Sequence, residues 1–240
     1  MKNRRTLIAA VLGGGLLLGA AGIGIVYFVV FAGSSPQKLA LSSPTPTTSG
    51  SASSSASTAG AGSWTVTSGS QAGYRVREQL ASLPAPSDAV GRTSAVTGTL
   101  TLAQAASDYS VTAADFSVDV SKLTSDQSRR DQRIHSQGLQ SDRYPTATFK
   151  LTSPIALTTA AAGGQTVRVS ATGDLTIHGV TRSVTIPIDA RLNGARIELV
   201  GSITFPFSDF GMTPPSIGGF VSVQPNATME FQLVLAQQAT

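Results

Sequence analysis

The chain has 240 residues, a formal net charge of +4 and no cysteine. Four basic residues, Lys2, Arg4, Arg5 and Lys38, precede the folded part, and removing these four from 17 leaves 13 basic residues against 13 acidic ones. A neutral domain has no overall field that attracts a phosphate backbone, so nucleic acid is not expected as a partner. The lack of cysteine excludes disulfides, thiolate metal sites and lipid-modified cysteine anchors.

Residues 1–33 combine a basic start with an uncharged apolar run over residues 6–33. The run exceeds the roughly 20 residues that a bilayer requires, and the positive charges before it favour a cytoplasmic amino terminus. A cleaved signal peptide ending near Ala32 is the alternative, but signal cores are shorter, about 7–15 residues. The sequence thus predicts a cytoplasmic stub and a single transmembrane helix. Gly15 and Gly19 form a G-x-x-x-G pair that permits a homodimer, or they belong to a plain glycine-rich helix.

Residues 34–63 are almost entirely Ser, Thr, Ala, Gly and Pro. Such a composition buries too little apolar surface to offset the entropy of ordering, so a flexible linker is expected. The third predicted segment, residues 64–240, carries the folded domain.

Alternation of apolar and polar residues dominates that domain. It is clearest at residues 96–102, 116–120, 167–169, 184–190, 197–205 and 229–235. A period of two indicates half-buried strands, and seven or more of them indicate a sandwich or a closed barrel. His178 and Gly179 mark a hairpin turn, and only residues 128–139 have a helical pattern, with Ser125 or Asp126 as its predicted cap.

Few residues suggest catalysis. The chain has two histidines, His135 and His178, and no G-x-S-x-G elbow. A hydrolase would have to combine a serine with His178 and with Asp174 or Asp189, which makes an enzyme the least favoured class. The donor set also fits no metal site, and neither a metal nor another cofactor is expected.

Three ordered motifs carry a resemblance to a known family. They are Arg130-Asp131-x-Arg133-Ile134, Tyr144-Pro145-x-Ala147-x-Phe149 and the run from Gly173 to Thr181. Together with Trp64, Val96-x-Gly98 and residues 209–212, they make residues 64–235 resemble the YceI-like proteins. The resemblance implies an all-β, eight-stranded antiparallel barrel of lipocalin-like shape with one short helix, exported in bacteria, that binds polyisoprenoids or other amphiphilic lipids.

One departure from the family pattern concerns the early strand. That strand often runs His-Ser-x-x-x-Phe-x-Val-x-His in the family, whereas residues 69–78 here keep the aromatic as Tyr74 and lack both histidines. The polar end of a bound lipid is therefore expected to differ. Arg75 and Arg77, which alternate with Tyr74, are expected to face solvent.

These observations favour a non-enzymatic protein that is anchored by one span in a bacterial cell membrane, with an extracytoplasmic barrel that holds an isoprenoid or fatty lipid. Small inward residues such as Gly98, Ala171, Ala190 and Gly201 leave a barrel hollow. The predicted lipid-binding residues are Tyr74, Phe116, Arg130, Arg133, Ile134, Phe149, Leu175, Ile177, Phe205 and Phe220, with Arg130 or Arg133 near the headgroup. The alternative is an envelope adhesion module with a solid core and a protein partner.

Overall fold

The computed structural model describes residues 35–42, 60–81, 85–106, 108–158, 161, 164–193, 195–217 and 221–238. The predicted span, much of the predicted linker and Phe220 lie outside these ranges. Within them, no helix has both the length and the apolar character of a membrane span.

Most of the described chain is strand. The strands are β1 Gly62–Val66, β2 Gln71–Leu80, β3 Ser87–Thr93, β4 Val96–Ala105, β5 Asp108–Asp119, β6 Thr146–Leu151, β7 Ile155–Leu157, β8 Val167–Ile177, β9 Val180–Asn193, β10 Arg196–Pro206, β11 Ser216–Ile217 and β12 Val221–Gln237. One α-helix, α1 Ser128–Arg133, continues into a π-helical turn, Ile134–Gly138, and 3₁₀ turns occupy Val120–Lys122 and Phe207–Phe210.

Antiparallel pairing closes the sheet into a barrel. Its order is β1-β4-β5-β6-β8-β9-β10-β12, and β12 pairs with β1 to complete the ring of eight. β2 continues the line of β1 along β12, and β3 pairs with β2 in the same way that β4 pairs with β1. The barrel, rather than the sandwich, is therefore the correct choice, and the predicted all-β fold with one short helix is confirmed.

The strand pattern follows from the alternation in the sequence. On β10, Leu199 and Phe205 are buried, while Ser202 and Thr204 between them are exposed. The predicted hairpin is also confirmed: Ile177 pairs with Val180, and His178 and Gly179 have φ values of 53° and 73°. Two successive positive φ angles match the twist of a two-residue hairpin.

The predicted helix forms, but its cap differs. Gln127 precedes α1 without a side-chain hydrogen bond to the helix, so the predicted cap at Ser125 or Asp126 is wrong. Ser125 instead donates its backbone N–H and its hydroxyl to Asp131, at 2.9 and 2.6 Å. Asp126 accepts from Arg130. These local bonds use the side chains that would otherwise cap the helix.

The outer wall of the barrel carries a buried charge cluster. Arg75 faces outward as predicted, but only 8% of it is exposed, so its predicted solvent exposure is wrong. Its Nε lies 3.4 Å from Glu230, and Arg92 binds the same carboxylate at 2.7 Å. Arg77 next to it is exposed and binds Asp88 at 3.0 Å.

Residues 37–42, which belong to the stretch predicted as linker, lie against this outer wall. The carbonyl of Gln37 accepts a hydrogen bond from Arg92. Ser42 donates its N–H to Glu198 at 3.3 Å, and its carbonyl accepts from Arg191 at 2.5 Å. Residues 37–42 are called the strap below, because they bind β3 at one end and β9 and β10 at the other.

We expect Glu198 to make the stability of the barrel depend on acid. Burial raises its pKa, but hydrogen bonds from Asn193, Arg191 and Ser42 outweigh burial and hold the pKa below its ordinary value of 4.5. A carboxylate whose pKa is lower in the folded than in the unfolded state stabilises the fold fully when the pH is above the unfolded-state pKa. This stabilisation is lost as the pH falls through the folded-state pKa. In urea unfolding, the stability difference between wild type and Glu198→Gln should therefore shrink as the pH falls below 4.5.

The matched control is Asp174→Asn, which changes an exposed acid on β8. As a change at the exposed surface, it should alter the free energy of unfolding by less than about 0.5 kcal/mol. A constant difference between wild type and Glu198→Gln across this pH range would show that the Glu198 charge does not stabilise the fold.

Candidate lipid-binding lumen

The barrel encloses an apolar lumen of three adjoining compartments, named A, B and C here. Counting all space between the atoms, with the open solvent at their mouths included, they measure about 840, 600 and 790 Å³. A and B share four wall residues, and B and C share four others, so the three are consecutive along the barrel. The shared residues are Phe116, Phe149, Ile188 and Leu199, and then Ala72, Val118, Ala147 and Met229.

Compartments A and B are walled almost wholly by hydrocarbon. A lies between Leu157 and Leu192 at one end of the barrel, and B contains Leu175 and Phe231. The side chains with polar atoms in these two walls are Tyr109, Arg191 and Thr148. Burying apolar chain here contributes about 0.8 kcal/mol per methylene, or about 8 kcal/mol for ten before the costs of binding.

Compartment C lies at the other end, below α1. Ile134 and Leu139 from the helical segment close it from above, and Ile177, Phe205 and Met212 form part of its wall. Tyr74 also lines this compartment. C thus differs from A and B because a short helical segment, and not a strand, closes it.

Aromatic rings lie against glycines on the inner wall, which keeps the lumen open. A methyl group at Gly201 would be 2.5 Å from Cζ of Phe231, and one at Gly173 would be 2.5 Å from Cζ of Phe149. At Gly98 the distance to Cδ1 of Phe116 would be 2.7 Å. Because the missing side chains make room for the rings at the wall, the rings need not extend across the lumen.

An ion pair holds α1 over compartment C. Glu78 lies on the same face of β2 as Tyr74 and is 7% exposed. Arg130 of α1 binds it at 2.7 Å and also binds Asp126. His135 adds a second connection, because its Nε2 donates to the carbonyl of Leu123 at 3.0 Å and its Nδ1 lies 2.9 Å from the hydroxyl of Ser141.

Seven of the ten predicted lipid-binding residues line the lumen. Phe116 and Phe149 separate A from B, Leu175 lines B, and Tyr74, Ile134, Ile177 and Phe205 line C. Arg130 and Arg133 line none of the three compartments, and Phe220 lies outside the described residues. Contact of any of these residues with lipid stays a prediction.

The side chains considered for hydrolysis do not assemble. His178 donates from Nδ1 to the carbonyl of Phe210 at 3.2 Å, and its ring packs on Tyr144 with a centroid distance of 4.5 Å. Asp189 binds the guanidinium of Arg168 at 2.8 Å. Within the described ranges, these residues therefore form no serine, histidine and acid arrangement of the kind that acyl transfer needs.

Comparison with known proteins identifies the family. The YceI-like domain matches residues 64–235, well over half of the chain. The chain belongs to the YceI-like family. This match confirms the membership of the YceI-like family that the sequence motifs predicted. A UPF0312 protein from Vibrio parahaemolyticus, VPA0850, is 28% identical over 114 residues, which is 45% of this chain and 57% of that relative. The aligned part thus spans little more than half of the relative's length.

Two solved structures share the fold of this YceI-like chain. BcnA of Burkholderia cenocepacia has a TM-score of 0.50 and 21% identity, with 70% of this chain and 96% of that chain covered. A polyisoprenoid binding domain from Saccharophagus degradans, implicated in plant cell wall breakdown, has a TM-score of 0.53 and 13% identity, with 75% and 100% covered. At 21% and 13% identity, the similarity to these two structures establishes a shared fold.

Sequence reasoning did not single out several wall residues. Ile188, Leu199 and Met229 each line two compartments, yet in sequence they are ordinary members of alternating strands. Glu78 was also missed as a partner of Arg130, because 52 residues separate the two. It stands where the family pattern often has its second histidine.

We expect Gly201→Ala to narrow compartment B. The added methyl group would displace the Phe231 ring, and Phe231 lines B. Overpacking should lower the free energy of unfolding by about 1–3 kcal/mol and reduce the longest lipid chain retained, both measured on purified protein. Ser202→Ala, at the adjacent exposed position on β10, should change neither. Retention of the same chain lengths by Gly201→Ala would contradict this role of the ring.

Proposed function

We propose that this protein binds one long apolar or amphiphilic lipid in its lumen, with polyisoprenoids as the favoured class. The main support is that the three apolar compartments follow one another along the barrel. Phe116 lines both A and B, and Met229 lines both B and C. Such a lumen offers a long chain dispersion contacts and removal from water along its length. The polyisoprenoid binding domain that shares the fold supports the choice of isoprenoids.

The adhesion module with a solid core is less well supported. Its premise was a packed barrel, whereas compartments A, B and C leave space inside the described barrel. An enzymatic role is also less well supported, because the described part of the chain shows no arrangement of His178 with an acid and a serine. Passive binding, without covalent chemistry, is therefore the favoured function.

The location forms part of the proposal. The uncharged residues 6–33 would anchor the chain in a bacterial membrane, with the barrel on the outer side. A lipid binder held there would take its ligand from, or return it to, the adjacent leaflet. Protease added to intact spheroplasts should remove the barrel while the amino terminus stays with the membrane; a protected barrel would overturn the outward orientation.

Ala190→Phe tests lipid binding in the full chain. Ala190 lines compartment A on β9, so a phenyl ring there should fill the space that a lipid chain occupies. Organic extraction followed by mass spectrometry should find a stoichiometric lipid in wild type and at least a tenfold loss in Ala190→Phe. Circular dichroism and urea unfolding would verify that the variant is folded.

Ser183→Phe is the matched control, because Ser183 is exposed on the same strand. It adds the same ring outside the lumen and should retain the lipid. Equal lipid in both variants would place binding elsewhere, and a folded wild type that holds no lipid and takes none from membrane extracts would overturn the proposed function.

A further inference from the structure

One side chain in the wall of compartment C carries a buried polar atom that makes no hydrogen bond. Among the described residues, four buried side-chain atoms lack a hydrogen bond: Oγ1 of Thr65, Oη of Tyr74, Nε2 of His178 and Nε of Arg191. Only Tyr74 and Arg191 belong to the lumen wall, and the guanidinium of Arg191 already binds Glu198 and Ser42. Among these four, Tyr74 alone combines a place in the lumen wall with a side chain whose hydroxyl makes no hydrogen bond.

The position of this hydroxyl is fixed by its neighbours. The Tyr74 ring lies against Gly91 of the paired strand, where an added methyl group would be 2.3 Å from Cε1 and 2.9 Å from Oη. Burial raises the pKa of Tyr74, and nearby Arg130 lowers it by a smaller amount. The phenol is thus neutral in the physiological range and can donate its proton in a hydrogen bond.

A buried donor without an acceptor is unfavourable, and a phenylalanine would fill the same space without that cost. An acceptor that enters with the ligand removes the penalty. The acceptor must come from within C, since the other wall residues of C offer hydrocarbon, apart from the Thr228 hydroxyl and backbone groups.

The charges around C disfavour an anionic acceptor. Arg130 is the cation whose charge acts on Tyr74, and it is bound by both Glu78 and Asp126. The wall of C itself has no cationic side chain among the described residues. A phosphate there would have to leave water without a free positive partner.

We propose that compartment C holds the polar end of the lipid, and that Tyr74 donates a hydrogen bond to a neutral oxygen there, such as a hydroxyl, ether or carbonyl. This inference rests on the proposed function, because it assigns the direction and the end group of a chain that A and B hold. It makes Tyr74 a specificity-determining residue that favours an oxygen-terminated chain over a bare hydrocarbon or a chain with a terminal phosphate.

Three C20 probes with the same isoprenoid chain test the inference: the alcohol, the hydrocarbon and the monophosphate. Each would compete with an uncharged fluorescent hydrocarbon, diphenylhexatriene, for the delipidated full chain in detergent, and the ratio of wild-type to variant affinity cancels partition into micelles. Tyr74→Phe should lower the affinity for the alcohol about tenfold, the size of one buried hydrogen bond, and leave the hydrocarbon unchanged or tighter.

Tyr109→Phe is the matched control, because Tyr109 lines compartment A, at the opposite end. It should keep the wild-type order of the probes. An unchanged alcohol affinity in Tyr74→Phe, an equal loss in Tyr109→Phe, or tightest binding of the monophosphate by wild type would overturn the assignment while lipid binding stands. Failure of a folded wild type to bind any probe would overturn the proposed function as well.

Discussion

The structure depends on the packing of aromatic rings against glycines. A barrel of eight strands is near the size at which side chains alone fill the interior. Here Phe116, Phe149 and Phe231 lie where Gly98, Gly173 and Gly201 leave room at the wall. These rings thus supply apolar surface and still leave space inside the barrel. Large side chains in place of the glycines would fill that space. The lumen is a consequence of where glycine occurs, more than of how many large residues point inward.

Among the described residues, the ion pairs lie on the outer wall or at one end of the barrel. Arg75, Arg92 and Glu230 form their cluster on the outer wall, and the ion pair of Glu78 with Arg130 lies at the end of the barrel. Breaking a buried pair by removing one partner is costly, so such pairs fix geometry even where their net stabilisation is small. This separation lets the lumen remain apolar while α1 is held in place.

The sequence predicted much of the fold because its information is local. Alternation identified the strands, and His178-Gly179 identified a turn whose φ angles confirm it. Closure was not predictable from alternation, since it depends on pairing between β1 and β12, which are far apart in the chain. The family resemblance, and not the periodicity, supplied the barrel.

The candidate site was predictable for a related reason. Inward aromatic and aliphatic residues of alternating strands necessarily face one interior, so seven residues of the predicted set line it. The arginines differ, because a dense charge run such as residues 129–133 says nothing about which distant acid each member binds. Arg130 binds Glu78 because α1 packs over the end of β2, and Arg75 binds Glu230 because β2 pairs with β12. No local pattern in the sequence encodes either contact.

The strap has a consequence for how the outer wall can be reached. Residues 37–42 bind the barrel, and the described chain resumes at Gly60, whose carbonyl accepts from Trp64 and Gln237 at 3.3 Å. A strap that detaches therefore stays tethered to the surface it left, at an effective concentration in the millimolar range. A free peptide of the same sequence would compete poorly with it. Deleting residues 37–42, rather than adding a competitor, is the way to uncover Glu198 and Arg191, and an expressed domain that starts at Trp64 would already have them uncovered.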